Sequence, residues 1–370
     1  MKRILMFGLI LFLLAALTFA GEPFKKEFKI STEKTLDVNL KSGGSLKVSG
    51  KAGNRKMISV YGKDGAADDW KIEVDRTGDA IELEVLSTGG GHGKNKGPRL
   101  EVIVPARFNL KLKTSGGAVE IDHVEGEITG KTLGGELDFS HLKGQIDFKT
   151  LGGGITLKES DVDGKLTTMG GRVLLENVVG DVDATSMGGQ VIYKNVKSRS
   201  GEGNGKVVRI KTMGGTIDVA EAAHGADLHT LGGGITIKSA REFVTAKTMG
   251  GDIAIEAIDG WVKATTMGGD IKVNMTGNPK KGKRDVELKS MGGDIQLTVP
   301  AGLSMDIEIQ LTVSRNARKD YKIISDFDIK QERKTKDDKT IIQGTGSIAG
   351  GKHKIKIKTI NGNIILKKNK

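Results

Sequence analysis

Three aspartates occupy equivalent places in the sequence, each directly after a pair of glycines: Asp252, Asp270 and Asp294. If they stack side by side, their carboxylates repel one another unless a cation or a lysine lies between them. Such a column suits two kinds of chemistry, a divalent-cation site or the active site of a polysaccharide-acting enzyme. The calcium-binding nonapeptide pattern is absent and lysines lie nearby, so we expect lysines to neutralise the column.

A second set of candidate ligands is His123, His141 and Glu159, which follow one another at a constant interval. Two imidazoles and a carboxylate are ligands that a transition metal accepts. Outward polar residues more often face solvent only, so solvation is our main expectation for this set. The sequence predicts no cofactor.

Basic residues also recur at equivalent places, and the chain has a net charge of +12. Two further basic segments are insertions, at residues 197–206 and 278–284. A positive face predicts binding of an anionic polysaccharide or another envelope component, with solvated lysines as the alternative. The candidate partner-binding residues are Lys131, Lys149, Lys211, Lys247, Lys289, Lys280, Lys281, Lys283, Arg284 and Trp261.

Trp261 is predicted to point outward, where its ring would stack on a sugar. Interleaved aromatic residues, which are typical of nucleic-acid-binding modules, are absent, since aromatics make up only 4% of the chain. We therefore expect no sequence-specific binding to nucleic acid.

The regular spacing of all these residues comes from an internal 18-residue repeat marked by Gly-Gly pairs, as from Gly250 to Gly268. Most intervals between successive pairs have this length, and the two longer ones contain the basic insertions. Apolar residues alternate after each pair, as Ile253 and Ile255 do. Short strands that cannot bury their own apolar side must stack on identical neighbours. The sequence predicts an all-β, parallel β-solenoid: a single-stranded, right-handed β-helix with 18-residue rungs and β caps at both ends.

Two columns directly precede the glycines at each corner. The first is Thr in most corners, and Ser186 and Ser290 in two others, and we expect its hydroxyls to hydrogen-bond from rung to rung. The second is apolar and is predicted to fill the corner of the core, with an exposed seam for docking as the alternative. Its members are Leu133, Leu151, Met169, Met187, Met213, Leu231, Met249, Met267 and Met291.

The N-terminus has the pattern of a secretory signal peptide. Lys2 and Arg3 precede an uncharged run at residues 4–20, and small residues stand before Gly21. An uncleaved anchor is the alternative, because this apolar run is at the short limit for a membrane span. We expect an exported protein of the periplasm or cell surface, with no transmembrane segment after cleavage. The predicted divisions are residues 1–20 (signal), 21–113 (N-terminal capping strands), 114–300 (regular solenoid) and 301–370 (C-terminal cap).

Residues 104–121, the T-x-G-G-x-I-x-I corners and residues 344–364 resemble the bacterial family of unknown function labelled "putative adhesin". The resemblance spans nearly the whole chain after residue 20. It implies an exported domain of repeated β-strands and brings no catalytic residues with it. The family corner usually reads T-x-S-G-x-I, whereas glycine replaces the serine in nearly every corner here.

These patterns together predict a non-enzymatic, adhesin-like solenoid that binds or scaffolds at the cell surface or in the periplasm. Its basic face would take an anionic glycan or lipid. A polysaccharide-acting β-helix enzyme with Asp252, Asp270 and Asp294 as its site is one alternative. Self-association through the apolar column or the ends into a structural filament is the other.

Overall fold

The computed structural model describes residues 24–369 except residues 31, 33, 54–56, 64–69, 88–97, 198–206, 318 and 337. The predicted signal peptide and nearly all of the first basic insertion lie outside the described residues. Within the described part of the chain, no helix has the length and apolar composition needed to cross a membrane.

The described residues form 30 strands. The N-terminal strands are β1 Phe24–Lys29, β2 Thr35–Leu40, β3 Ser45–Lys51, β4 Met57–Lys63, β5 Trp70–Thr77, β6 Ala80–Ser87 and β7 Arg99–Pro105. The central strands are β8 Asn109–Thr114, β9 Val119–Asp122, β10 Glu125–Thr132, β11 Leu137–Ser140, β12 Lys143–Thr150, β13 Ile155–Thr168, β14 Val173–Val179, β15 Val182–Ser186, β16 Val191–Lys197, β17 Val208–Lys211, β18 Ile217–Ala222, β19 Ala226–His229, β20 Ile235–Lys247, β21 Ile253–Thr265, β22 Ile271–Met275, β23 Val286–Lys289 and β24 Ile295–Val299. The C-terminal strands are β25 Met305–Ser314, β26 Ile323–Ser325, β27 Lys330–Lys336, β28 Lys339–Ile348, β29 His353–Ile360 and β30 Ile364–Lys368.

The central strands pair in parallel, each with the equivalent strand of the next rung. Ile128 pairs with Ile146, so the register between these strands equals one sequence repeat. The offset is longer across the second insertion, where Val262 pairs with Val286. The predicted parallel β-solenoid is confirmed in this sense, whereas its right-handed coil stays a prediction.

The core is built from the alternating apolar residues of each rung. Ile253 and Ile255 of β21 are fully buried and pair with Ile271 and Val273 of β22. Burying one such side chain contributes about 1.5–3 kcal/mol, and every rung adds several to one continuous core. This alternation leaves the polar residues between them on the surface, where they form columns along the rod.

Parallel stacking continues beyond residues 114–300 at both ends, because terminal strands insert into the stack. At the N-terminal end β2 lies between β6 and β8, and β3 lies between β7 and β9. At the C-terminal end β29 lies between β23 and β25, and β30 lies between β24 and β26. Antiparallel strands β1, β4 and β5, and β27 and β28, then cover the outer strands. Covered edges protect a solenoid from further pairing.

From Thr150 to Ser290 the corner threonine or serine is buried and links neighbouring rungs, whereas the hydroxyls of Thr114 and Thr132 donate within their own corners. The Thr266 hydroxyl donates to the carbonyl oxygen of Gly251 in the preceding rung at 2.9 Å. It also accepts the N–H of Gly269 in its own corner at 3.2 Å. The corners with Thr168, Ser186, Thr230 and Thr248 repeat both bonds. The predicted rung-to-rung hydrogen bonding is therefore confirmed.

The prediction that the Met and Leu column fills the core was wrong. All nine of its members are exposed, with 39–59% of their surface accessible. Adjacent residues of a strand point to opposite sides, so only one of the two columns can face inward. Threonine takes the inner place because its hydroxyl is fully hydrogen-bonded there, and this leaves the apolar residue outside.

Candidate functional site

A groove lies over three neighbouring strands near the C-terminal end. Val262 of β21 pairs with Val286 of β23, and Val286 pairs with Ile355 of β29. Alternate residues of these strands point outward and line a groove of about 440 Å³. We call it the lysine groove; its outward side chains are Trp261, Lys263, Lys283, Asp285, Glu287, Lys289, Lys354, Lys356 and Lys358.

Trp261 forms an aromatic wall of the lysine groove. Its ring stacks on Phe243 of the preceding rung, with the centroids 5.0 Å apart and the planes 13° from parallel. The Lys283 ammonium lies 5.2 Å from the Trp261 centroid, within cation–π range. The half-buried ring is therefore held by its neighbour at an outward position, as the sequence predicted.

The lysine groove is electropositive. It contains six lysines and two carboxylates, Asp285 and Glu287, which leaves a net charge of four positive. Glu287 accepts a hydrogen bond from Lys289 and lies 3.2 Å from Lys263. The Lys289 hydrogen bond lowers the pKa of the Glu287 carboxyl, outweighing the opposite effect of partial burial. Both acids are thus paired with lysines of the groove, Glu287 with Lys289 and Lys263, and Asp285 with Lys283.

Two of the groove lysines are available for an outside partner. Lys283 lies 3.5 Å from Asp285, and Lys356 lies 3.3 Å from Glu308. In the described part of the chain, neither Lys354 nor Lys358 forms an ion pair. Their ammonium groups can donate hydrogen bonds to a ligand carboxylate or sulfate without displacing an internal partner.

Arg284 was predicted to bind a partner, and this was wrong, because the residue is 1% exposed. Its guanidinium donates to the carbonyl oxygens of Thr276, Asn278 and Lys281 and to the carboxylate of Asp259. These bonds anchor the second insertion from inside. Its neighbours Lys280, Lys281 and Lys283 are exposed, as predicted.

His353 lies beneath the lysine groove at the start of β29 and is 4% exposed. Its Nδ1 accepts the N–H of Arg284 at 3.4 Å, and its Nε2 is buried without a partner among the described residues. Burial is the main cause of its lowered pKa; Lys352 and Arg284 lower it further, and Asp285 opposes them.

The lowered pKa of His353 predicts a loss of stability on acidification. The unfolded histidine takes up a proton near pH 6.5, before the folded one does. Stability is therefore fully present above pH 6.5 and declines as the pH falls toward the lower folded pKa. Melting temperatures between about pH 7 and pH 5 should fall more steeply for the wild type than for His353→Gln. Identical profiles for the wild type and His353→Gln would contradict the prediction.

The lysine column follows the predicted register, but only its last member lies in the lysine groove. Lys131, Lys149, Lys211, Lys247 and Lys289 are exposed, and the intervening rungs carry threonines or a histidine. The sequence prediction missed Lys263, because it did not single out that column. It also missed the three lysines of β29, which the chain brings back to β23 only after the intervening strands β24 to β28.

The aspartate column is a backbone-capping ladder in the structure. Asp252 accepts the N–H of Asp270 at 2.8 Å, and Asp270 accepts the N–H of Asp294 at 2.7 Å. Asn363 continues the ladder by donating its N–H to Asp294 at 2.6 Å. Backbone donors between successive carboxylates stabilise their charge, so neither a cation nor a lysine is required to explain the column.

The two candidate histidines do come together. The rings of His123 and His141 stack with centroids 4.3 Å apart, and both Nδ1 atoms lie within 2.9 Å of the Asp122 carboxylate. Burial tends to raise the pKa of Asp122, but hydrogen bonds from His141, His123 and Ser140 outweigh it and hold the pKa at about 2. The ligand atoms of these three residues lie within 4.8 Å of one another.

Glu159, the third member predicted for this set, does not join the histidines. Its carboxylate accepts a hydrogen bond from Asn177, whose amide oxygen accepts one from Asn195. The backbone φ is positive at Glu159, Asn177 and Asn195, as it is at both histidines. These residues therefore form a corner with left-handed backbone conformation, along which polar side chains interact from rung to rung. Asp122, and not Glu159, is the carboxylate that contacts the two histidines.

The stacked parallel strands, glycine corners and surface columns define a β-solenoid with a basic groove. Residues 176–367 match Toastrack DUF4097, and the chain belongs to this family. The matched residues contain the whole lysine groove. No curated protein matches the chain.

Solved structures similar to this chain share little sequence with it. A putative adhesin from Parabacteroides merdae is 11% identical, with a TM-score of 0.30 and coverage of 75% of this chain and 96% of that chain. A putative cell adhesion protein from Clostridium sporogenes is 9% identical, with a TM-score of 0.19 and coverage of 94% and 100%. A putative lipid binding protein from Parabacteroides distasonis is 14% identical, with a TM-score of 0.27 and coverage of 75% and 97%. At these scores the likeness carries no argument about function.

Proposed function

We propose that the protein is a non-enzymatic, exported, adhesin-like scaffold that holds an anionic glycan in the lysine groove, at the cell surface or in the periplasm. The observation that carries the proposal is the convergence of six lysines and Trp261 over three adjacent strands. Export rests on the signal-peptide pattern of residues 1–20. The rod is proposed to coil right-handed with 18-residue rungs.

A glycan fits the lysine groove better than a lipid headgroup does, because the groove pairs charge with an aromatic face. Sugars present flat C–H faces that stack on indole, and acidic sugars add carboxylates or sulfates for lysine. Lys283 is exposed and lies over the Trp261 ring. On binding, its ammonium moves to the ligand anion and uncovers the ring for the sugar.

The arrangement of the carboxylates favours binding over catalysis. Asp285 and Glu287 in the groove are paired with lysines, and Asp252 and Asp270 accept backbone N–H groups. Glycoside hydrolysis needs one carboxyl that stays protonated beside another that is ionised. Release of reducing ends from an acidic polysaccharide by the purified protein would overturn the non-enzymatic proposal.

Calorimetric titration with heparin, polygalacturonate and uncharged dextran tests the binding. We expect saturable binding of at least one acidic polymer, none of dextran, and an affinity that falls as salt rises. Trp261→Ala and Lys354→Glu/Lys358→Glu should each weaken binding at least about tenfold, or about 1.4 kcal/mol.

The matched control for the binding test is Lys165→Glu/Lys238→Glu, which makes the same charge change at two exposed lysines outside the groove. We expect this variant to lose less than about threefold in affinity, through the net charge alone. Equal losses in both double variants, or binding to dextran as tight as to the acidic polymers, would contradict a localised glycan site.

A further inference from the structure

The exposed Met and Leu column forms one continuous line along the rod, which we call the apolar ridge. Its members are Leu133, Leu151, Met169, Met187, Met213, Leu231, Met249, Met267 and Met291. Their backbones are hydrogen-bonded in line: the N–H of Met249 donates to Leu231 at 3.0 Å, and that of Met267 to Met249 at 3.2 Å. Nine rungs at about 4.8 Å spacing make the ridge about 38 Å long.

The residues next to the ridge in the sequence leave its side chains exposed. Each member is followed by two glycines, and the residue before each is a buried Thr or Ser. An apolar line of this length is costly to expose, and large exposed apolar patches mark interaction sites. The fold of a single rung does not require Met or Leu at the ridge positions, because the buried Thr or Ser already fills the inner side of each corner.

The two flanks of the apolar ridge are mainly of opposite charge, with the exposed Arg172 as a basic exception on the acidic side. The basic flank, two residues before the ridge, has Lys131, Lys149, Lys211, Lys247 and Lys289; the acidic flank, three residues after it, has Glu136, Asp252, Asp270 and Asp294. All nine side chains are exposed. In three rungs both flanks are charged, which gives the pairs Lys131 with Glu136, Lys247 with Asp252, and Lys289 with Asp294.

We propose that the apolar ridge joins two copies of this chain as a parallel homodimer, with its two-fold axis along the rods. This symmetry places the basic flank of each copy against the acidic flank of the other at the same height. An antiparallel pair would set basic against basic and acidic against acidic. A flat anionic membrane is disfavoured as the occupant, because it would press on the acidic flank as well.

The size of the surface permits a specific dimer only at its upper bound. The strip between the two flanks is five residues wide and about 38 Å long. Because these residues turn at the glycine corner, the width is at most about 16 Å, which limits the area to about 600 Å² per copy and about 1,200 Å² in total, the lower limit of specific interfaces. This inference does not depend on the glycan proposal: Lys289 borders both surfaces, but the ridge and the aromatic wall of the groove are separate, so Met249→Glu/Met267→Glu and Trp261→Ala test the two proposals independently.

Analytical ultracentrifugation of the chain from residue 21 onward tests the inference. The wild type should sediment as a dimer, and Met249→Glu/Met267→Glu as a monomer with unchanged thermal stability, because both side chains are exposed. Val179→Glu/Ile324→Glu places the same charges at exposed apolar residues outside the ridge and should stay dimeric. A monomeric wild type, or a ridge variant that stays dimeric, would overturn the proposal.

A charge swap distinguishes the parallel dimer from other uses of the ridge. Lys131→Glu and Glu136→Lys, at exposed residues outside the aspartate ladder, should each weaken dimerisation several-fold, because each sets like charges opposite one another in both halves of the interface. The combined variant Lys131→Glu/Glu136→Lys should restore it. No restoration would rule out the parallel pairing, and a monomeric wild type that binds phosphatidylglycerol vesicles through Met249 and Met267 would assign the ridge to a membrane instead.

Discussion

Gly269→Ala is expected to lower the free energy of unfolding by roughly 3 kcal/mol, because a buried corner cannot admit a methyl group. A Cβ at Gly269 would stand 2.2 Å from the carbonyl oxygen of Gly251 and 2.5 Å from its carbon. Both atoms belong to the backbone of the preceding rung and cannot rotate away. The rungs must separate there, which weakens the two Thr266 hydrogen bonds.

The adjacent residue supplies the control for this prediction. A Cβ at Gly268 would meet its nearest neighbour, the Gly250 carbonyl oxygen, at an ordinary 3.6 Å. Gly268→Ala should therefore change the unfolding free energy by less than about 1 kcal/mol, in either direction. Urea unfolding of the two variants measures the difference. Equal stabilities would show that the second corner glycine is not needed for close stacking of the rungs.

Arg284→Met is expected to cost about 3 kcal/mol and to loosen the segment that carries Lys280, Lys281 and Lys283, mainly because buried acceptors are left without donors. Methionine keeps most of the side-chain length but donates no hydrogen bond to the three carbonyls and the carboxylate that Arg284 holds. Asp259 is half exposed, so water compensates that carboxylate in part.

Arg315→Met is the matched control for Arg284→Met. Arg315 pairs with Asp338 at 2.8 Å, but 73% of its side chain is exposed. Exposed ion pairs contribute about 0.2–1 kcal/mol, so this variant should unfold nearly like the wild type. Hydrogen exchange should show faster exchange at residues 276–284 in Arg284→Met alone. If both variants lost the same stability, the anchoring role of Arg284 would be wrong.

The solenoid was predictable because its repeat constrains each rung in the same way. Glycines that recur at a fixed interval and alternating apolar residues specify parallel stacking without any long-range information. The columns of outward residues then follow from the register alone. The apolar ridge was assigned to the wrong side, since hydrophobicity favours Met over Thr inside. The hydrogen bonds of Thr266 and its equivalents reverse that preference.

The lysine groove was only half predictable, because it depends on a long-range return of the chain. Trp261, Lys283 and Lys289 were identified from the sequence, whereas Lys354, Lys356 and Lys358 belong to a strand that inserts beside β23. Alternation of lysine with buried residues in β29 signals a strand but does not say which neighbour it pairs with. Arg284 was misassigned because a basic loop looks alike in sequence whether a given cation faces outward or inward.

Binding of an anionic glycan against Trp261 should change the fluorescence of that residue. The chain has two tryptophans, so a Trp70→Phe background leaves Trp261 as the reporter. We expect a saturable change in emission with an acidic oligosaccharide, no change with a neutral one, and loss of the response in Lys354→Glu/Lys358→Glu. Emission that does not change with any acidic oligosaccharide, or changes equally with neutral ones, would contradict the proposed binding.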